Sequence, residues 1–525
     1  MLYPEEKYCL RVIRTSLQRT QYEERHSRRH VGCGESVSTR PRQLRYDKRV
    51  PTYHVENFGC RATQADGAAI ALQFEAHGLA SARAAEADIV LLNTCTVTAS
   101  ADQDARAAIR RVRRQNPLAK IVITGCYAQR APEEIAALPG VALVIGNSHK
   151  HELAELVLQK KPGANNFVPL STLTKNQEPR AESWVHVSDI FAHTELLAAP
   201  VFEPSGALQA DRTRPNLKVQ DGCDNRCSFC IIPSVRGHSR SLPLHTVIDQ
   251  INTLVDAGYR EIVISGINLG RWGRDLARGN GSRPPAAGGR QPNFETLIHN
   301  ILDQTRIEKI RISSVEPMDW SDELIDLVAS SPRIAKHAHV PLQSGSDAVL
   351  RRMHRKYRPW HYREKVEKIR AAMPRAAIGA DVMTGFPGET DAEFESTRRL
   401  IEALPFTYLH VFTYSARPGT SASGMPNQVP IPVARVRNKV LRDLADEKKL
   451  AFMRSLVGRP VEAITLNAAV TGSDGDFTEA LTDNYQKLHL QGRHEPNRWI
   501  TTQVNSVEDG TLVGELKPVA NLLEG

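Results

Sequence analysis

Residues 221–233 read DGCDNRCSFCIIP, a C-x3-C-x2-C run on the loop that leaves the strand-like stretch NLKVQ (216–220). Three thiolates brought close on one loop can hold three corners of a cubane iron–sulfur cluster, which leaves the fourth iron open. Zinc is the competing reading. Structural zinc usually takes four protein ligands in two pairs, and here no fourth cysteine or suitably paired histidine follows; His238, eight residues after Cys230, is the nearest candidate. The incomplete ligand set favours the cluster.

Downstream of this loop the pattern repeats. Strands are expected near NLKVQ, EIVISG, KIRISS, AHVPLQ, IGADVMTG and YLHVFTYS, each followed by a helical stretch, from 216 to about 415. Six strand-plus-helix units of this kind form a partial (βα)6 barrel whose site lies at the strand C-terminal face. The stretch RGNGSRPPAAGGRQP (278–292) reads as a surface insertion in it. A charged helix near 432–457 leads to short strands, PVEAITL, YQKLHL, WITTQVN and TLVGEL, separated by Gly, Asp and Asn turns. That pattern predicts a small C-terminal β-barrel, an architecture that suits both a nucleic-acid grip and a structural cap.

Upstream, apolar strands YHVENFG, DIVLLN, KIVITG and VALVIGN alternate with helices near 63–78 and 101–114, which predicts a parallel α/β sheet. Cys60, Cys95 and Cys126 each follow one of the first three strands. Strand C-termini of an open α/β sheet share one edge, so cysteines far apart in sequence converge there. Each alone reads as a buried inert thiol; together they read as a second ligand set.

The boundaries that follow are 1–50, a basic extension expected to be disordered; 51–150, the N-terminal sheet domain; 151–212, a connector; 213–455, the barrel; and 456–525, the C-terminal β-barrel. The α/β class of the whole rests on the first two folded units. Of a net charge of +9, the extension supplies +6, with twelve Lys or Arg against six Asp or Glu. The basic balance favours a polyanionic partner, but much of the excess lies off the folded body. Eight cysteines among 525 residues are too few for a disulfide scaffold. No apolar run of membrane-spanning length and no signal-peptide-like stretch is present, so a cytoplasmic location without membrane attachment is expected.

The C-x3-C-x2-C spacing, with Phe229 before the last cysteine, resembles the radical-SAM superfamily, in which the open iron chelates S-adenosylmethionine (SAM). The resemblance implies reductive cleavage of SAM to a 5′-deoxyadenosyl radical that abstracts an unactivated hydrogen. NFGCRATQADG (57–67), LLNTCTVT (91–98) and TGCYAQ (124–129) are similar to the three cysteine loops of the methylthiotransferases, and ALTDNYQKLHL (480–490) to their RNA-binding TRAM-like barrel. The likeness runs from about 50 to 520. It implies two 4Fe-4S clusters, one on Cys223, Cys227 and Cys230 and one on Cys60, Cys95 and Cys126, with one SAM as methyl donor and another as radical source. An electron donor such as a flavodoxin or ferredoxin is implied as well. Cys9 and Cys33 match nothing in the family.

GINLGRWGRDL (266–276) most resembles the branch that acts on threonylcarbamoyladenosine of tRNA, beside the anticodon. The branches acting on isopentenyl-adenosine tRNA, or on an aspartate of a small-subunit ribosomal protein, remain the alternatives. Gly266 and Asn268 in that stretch, Ser314 and Glu316 in ISSVEP, Gln343 in PLQSGSD and Asp381 in GADVMTGFPGE resemble positions that line the SAM site, at or beside strand C-termini. The usual two-Gly-and-Glu motif for the SAM amine is not spelled out. Arg236 and Arg240 also match family positions, for phosphate or for support of the cluster loop. His337 and His339 read as barrel-interior histidines without an assigned role, and no catalytic side chain is named. A metal-stabilised RNA-binding protein without activity, or a radical enzyme with one cluster, would each leave one cysteine set unexplained.

Overall fold

The computed structural model describes residues 50–159, 184–193, 196, 213–276, 292–472 and 475–516. The basic extension with Cys9 and Cys33, most of the connector and nearly all of the 278–292 insertion lie outside the described residues.

The first domain is a parallel sheet in the order β2-β1-β3-β4-β5-β6, formed by β1 (Thr52–Asn57), β2 (Ala80–Ser81), β3 (Ile89–Thr94), β4 (Lys120–Gly125), β5 (Val141–Ile145) and β6 (Trp184–His186). Every residue of β3, IVLLNT, is buried, as a central parallel strand covered by helices on both faces requires. One face packs on Ala105, Ile109 and Val112 of helix Ala99–Gln115, the other on Ile70 and Phe74 of helix Arg61–Ala76. Two pieces of the stretch read as connector belong to this domain. Helix Leu153–Leu158 buries Leu153 and Val157 in its core, and β6 covers the edge of β5. The sheet therefore extends past residue 150.

The six strands expected in the barrel all form: β7 (Asn216–Asp221), β9 (Glu261–Gly266), β10 (Lys309–Ile312), β11 (His337–His339), β12 (Ala377–Thr384) and β13 (Tyr408–Thr413). A short antiparallel strand, β8 (Arg240–Ser241), flanks β7 and was not legible in the sequence. The strands make two sheets, β10-β9-β7-β8 and β11-β12-β13, joined by a parallel bridge between Ile310 and Ile334. Among the described residues β7 and β13 do not pair, so the barrel is open there. Ala338, Val340, Ile378, Ala380 and Val382 point into the main core under the outer helices. Side chains alternate along a strand, so His337, His339, Gly379 and Asp381 face the barrel interior.

The first domain lies across the open seam. Its helix Arg61–Ala76 packs along β7, where Asn216 donates to the Arg61 carbonyl at 3.0 Å. On the far side, Arg417, beyond β13, donates to Thr96 at 2.9 Å and pairs with Asp102. Helix Ile431–Arg454 then leads to a closed barrel, β14 (Pro460–Gly472), β15 (Gly475–Thr482), β16 (Lys487–Gln491), β17 (Trp499–Glu508) and β18 (Thr511–Glu515), in the order β14-β15-β16-β18-β17. The sequence pattern located four of these strands and missed β15, whose GDFTEALT lacks a sustained apolar alternation.

The C-terminal barrel is docked at the strand N-terminal ends of the central barrel. Lys309, the first residue of β10, bonds Glu462 at 2.7 Å and lies 4.7 Å from the Trp499 ring centre. Arg311 donates to the carbonyls of Asp483 and Thr482, and Asn484 and Asn497 reach the carbonyls of Arg375 and Gly258. Among the described residues no helix is long and apolar enough to cross a membrane.

Candidate functional site: two cysteine sets on facing strand ends

Cys60, Cys95 and Cys126 come together as the topology requires, at the C-terminal ends of β1, β3 and β4. Two glycines shape the approach. Gly59 has φ +107°, and a Cβ there would stand 2.6 Å from Cys95 Cβ. Gly125 has φ +100°, and a Cβ there would meet the Thr94 carbonyl oxygen at 2.2 Å. Neither position accepts a side chain without moving the backbone that aims the adjacent cysteine. Burial, with the neighbouring Cys60 and Cys126 adding to it, pushes the Cys95 thiol up to about 12. Burial acts the same way on Cys60, but the Arg236 guanidinium and hydrogen bonds involving Thr63 outweigh it and hold that thiol below its ordinary range.

Cys223, Cys227 and Cys230 follow β7 on a loop that turns into the short helix Ile232–Arg236. Cys230 is pushed up to about 12 by burial, with Cys227 and Cys223 adding to the effect. Donors point at the other two sulfurs. The Asn225 backbone N–H lies 3.4 Å and Asn268 Nδ2 3.5 Å from Cys223 Sγ; Arg355 Nη1 lies 3.3 Å from Cys227 Sγ. Arg355 also pairs with Glu316, and Cys227, Glu316, Arg271, Arg355 and Tyr357 line one cleft. Donors aimed at sulfur stabilise the thiolate form that an iron–sulfur cluster needs.

The two sets face each other through a shared wall. Cys126 packs against Ile231 and Val235, directly after the second set, and Asn147 Nδ2 donates to both Cys126 Sγ, at 3.6 Å, and the Val235 carbonyl, at 2.6 Å. Behind that wall lies a buried ion network. Asp66 meets Lys150 at 2.7 Å, Arg236 at 3.0 Å and Lys218; Asp221 meets Lys218 and Arg236, each at 2.9 Å. Three cations against two carboxylates leave one positive charge next to Cys60 and Cys126, which favours an anionic ligand set. Arg236 and Arg240 thus support the loop: Arg236 is 2% exposed and in this network, and Arg240 donates to the carbonyls of His193 and Arg236. Neither is a free phosphate contact.

The residues expected to line a SAM site fall into three groups. Asn268, Glu316 and Gln343 lie at loop positions after β9, β10 and β11. Asn268 Oδ1 and Gln343 Oε1 are buried without a hydrogen-bond partner, and Gln343 holds φ +63°, a conformation costly for a side chain of that size. Orphaned acceptors of this kind fit a ligand bearing donor groups, as SAM does. Gly266 does not face open space: a Cβ there would meet Gln220 at 3.0 Å, and Gln220 in turn accepts from the Asn268 N–H at 2.6 Å. Gly270 is likewise packed on Asp319. Asp381 departs from the expected placement. It is the fifth of the eight residues of β12, well inside the strand, and lies 3.4 Å from His339 Nε2, while Ser314 bonds His339 Nδ1 at 2.5 Å.

Among the described residues, the cysteine sets are not drawn together as closely as ligands of a single ion. Among the described residues, the only group of three His, Cys, Asp or Glu ligand atoms all within 4.8 Å of one another is His339, Asp381 and His410. His339 carries no role legible in the sequence and His410 is not marked there: the His-x-His alternation of β11 is a signal for His339 alone, while His410 sits in the ordinary strand YLHVFT.

Residues 52–146 match the family described as Uncharacterized protein family UPF0004, and residues 217–401 match the Radical SAM superfamily. The chain is 37% identical over 412 residues to threonylcarbamoyladenosine tRNA methylthiotransferase MtaB of Bacillus subtilis, covering 78% of this chain and 83% of that protein. It is 31% identical to tRNA-2-methylthio-N(6)-dimethylallyladenosine synthase of Novosphingobium aromaticivorans, covering 89% and 97%. The solved structure of the radical S-adenosylmethionine methyltransferase TsrM from Kitasatospora setae aligns with a TM-score of 0.49 at 16% identity, over 71% of this chain and 77% of that one.

Proposed function

Because the chain belongs to the radical-SAM methylthiotransferase family, we propose that it adds a methylthio group to C2 of the N6-threonylcarbamoyladenosine beside the tRNA anticodon, using two 4Fe-4S clusters and two SAM molecules. It is a radical-SAM transferase. The observation that carries the finer reading is the pair of cysteine sets on facing strand ends with a shared wall, Cys126 against Ile231 and Val235. A single cluster would leave one set without a purpose. The threonylcarbamoyl substrate is supported by the higher identity to the MtaB relative than to the dimethylallyladenosine synthase, 37% against 31%.

In this reading Cys223, Cys227 and Cys230 hold the cluster that binds SAM, and Cys60, Cys95 and Cys126 hold the auxiliary one. When bound, the first cluster supplies an electron for SAM cleavage, and the second holds the sulfur to be methylated and transferred. The protein's own part is placement and charge. Arg355 neutralises charge at Cys227, and the surplus cation of the buried network does so at Cys60 and Cys126. Asn268, Glu316 and Gln343 line the SAM site, with Gly266 making room for Gln220 to fix the Asn268 backbone; Ser314 borders it. A flavodoxin or ferredoxin is the electron source. The units at work are the N-terminal domain, the partial (βα)6 barrel and the TRAM-like barrel, which grips the tRNA backbone with cationic groups.

Iron and labile sulfide per chain, after anaerobic reconstitution, test the reading. About eight irons in the wild type and about four in a Cys223→Ala/Cys227→Ala/Cys230→Ala variant are expected; four falling to zero, or zinc in place of iron, would overturn it. Mass spectrometry of tRNA nucleosides from cells with and without the gene then reads the substrate. Loss of the methylthio form of the isopentenyl nucleoside instead would move the chain to the other tRNA branch.

A further inference from the structure

We propose that His339, Asp381 and His410 form a binding site for a divalent first-row metal ion of the zinc type in the interior of the central barrel, separate from both cysteine sets. The three come from adjacent parallel strands, β11, β12 and β13, with the pairing His339 to Gly379 and Asp381 to His410. One ligand atom from each lies within 4.8 Å of the other two. Tetrahedral zinc with bonds of ~2.0–2.1 Å needs ligands ~3.3 Å apart. His339 Nε2 and Asp381 Oδ1 are already at 3.4 Å, so the ion requires only the His410 side chain to close in.

Second observations point to a ligand. His339 is 8% exposed, and its Nε2 is buried with no hydrogen-bond partner even though the Asp381 carboxylate lies beside it. The other ring nitrogen is fixed by Ser314 Oγ at 2.5 Å, an outer contact of the kind that sets the tautomer and aim of a metal-binding imidazole. The site has a rigid back wall. The Tyr408 ring stacks near His339 at 5.9 Å and abuts His410 at 5.3 Å, and its hydroxyl bonds His337 at 2.6 Å. Gly379 is what admits that ring: a Cβ there would stand 1.9 Å from Tyr408 Cζ.

Two imidazoles and one carboxylate suit zinc, iron(II) or manganese(II). Three protein ligands on one face leave the remaining positions open to the barrel interior. An oxygen of a molecule bound in the barrel can complete the coordination.

The test uses the full chain with its clusters reconstituted, so that the six cluster cysteines are occupied, with Cys9→Ser and Cys33→Ser in every chain compared, and Zn2+ as the probe. After equilibration with excess Zn2+ and desalting, iron and zinc are counted by mass spectrometry. The expected result is one zinc per wild-type chain and at least a tenfold lower zinc content in His410→Ala and in Asp381→Asn, with iron unchanged. Zinc should also raise the wild-type melting temperature reversibly with EDTA and leave that of His410→Ala unmoved, which separates loss of the site from loss of the fold. Equal zinc in wild type and His410→Ala, no retained zinc in the wild type, or zinc gained only as iron is lost would each overturn the site. The two-cluster reading stands on the iron count taken before zinc is added, so it is tested independently of these outcomes.

Discussion

Lys218 on β7 and Asp66 on helix Arg61–Ala76 form an ion pair with side chains 0% and 2% exposed, 152 residues apart in sequence. The pair joins the first domain to the barrel at its open seam. It shares Asp66 with Lys150 and Arg236, and Lys218 with Asp221.

Removing one member of such a network costs more than the network itself contributes, because the charges left behind stay buried. Asp66→Ala leaves Lys150, Lys218 and Arg236 facing Asp221 alone. A loss of ~3–5 kcal/mol is expected, read from urea unfolding. Asp66→Asn, which keeps the shape, should lose less. A change below about 1 kcal/mol would mean that water enters and takes over the role of the carboxylate.

The same carboxylate sets an acid limit. Burial raises its pKa, but Lys150, Lys218 and Arg236 outweigh burial and hold it at about 2. A folded-state value below the ordinary one contributes stability that is present above pH ~4 and lost as pH falls through ~2. The contribution is on the order of 2 kcal/mol. The stability difference between wild type and Asp66→Asn, measured in parallel so that acid loss of iron affects both, should shrink from pH 4 to pH 2. A gap constant over that range would contradict the assignment.

Arg355 donates to Cys227 Sγ and pairs with Glu316. Replacing it by Ala removes a cation and a sulfur-directed donor, which makes an added electron less welcome. The cluster on Cys223, Cys227 and Cys230 should then show a more negative reduction potential in an electron-paramagnetic-resonance titration, with Arg355→Lys in between. A potential equal to or above the wild-type value would rule out this role.

At Gly125 both the φ of +100° and the Thr94 carbonyl oppose a side chain. Gly125→Ala should displace Cys126 and lower iron from about eight to about four per chain, while reductive cleavage of SAM persists. Full iron content in that variant would show that the loop relaxes at little cost.

Arg311 holds the C-terminal barrel through two carbonyls and also pairs with Glu261, which is 0% exposed. Arg311→Ala leaves Glu261 buried without its ion pair, with only the nearby Arg214 charge to offset it, at a cost of up to ~3 kcal/mol. Limited proteolysis after helix Ile431–Arg454 should become faster and tRNA affinity should fall. Unchanged cleavage would place the docking energy on Lys309 and Asn484 instead.

The strands of both α/β units were legible because parallel strands buried on two faces read as short apolar runs, and β3 and β9 are of that kind. The cysteines were legible because strand ends converge. What escaped depends on groups distant in sequence. β6 pairs across a connector of mixed composition, and β15 exists because β14 and β16 flank it. Gly266 looked like room for a ligand and turned out to be room for Gln220, a contact that no local pattern encodes. Asp381 looked like a strand-end residue because GADVMTGFPGE gives no mark of where pairing stops; the strand runs three residues further, to Thr384.

The docking of the C-terminal barrel at the strand N-terminal ends has a consequence for the size and form of a substrate. The loop with Cys223, Cys227 and Cys230 leaves the opposite end of β7, and the first domain, with Cys60, Cys95 and Cys126, lies across the lateral seam. The C-terminal barrel and the Cys223 loop are thus separated by the length of a strand, ~20–25 Å for β12. The barrel interior between them is filled by His337, His339, Tyr408 and Tyr485. A substrate held by the C-terminal barrel must therefore reach around the wall of the central barrel, which favours a long, bent molecule over a small one.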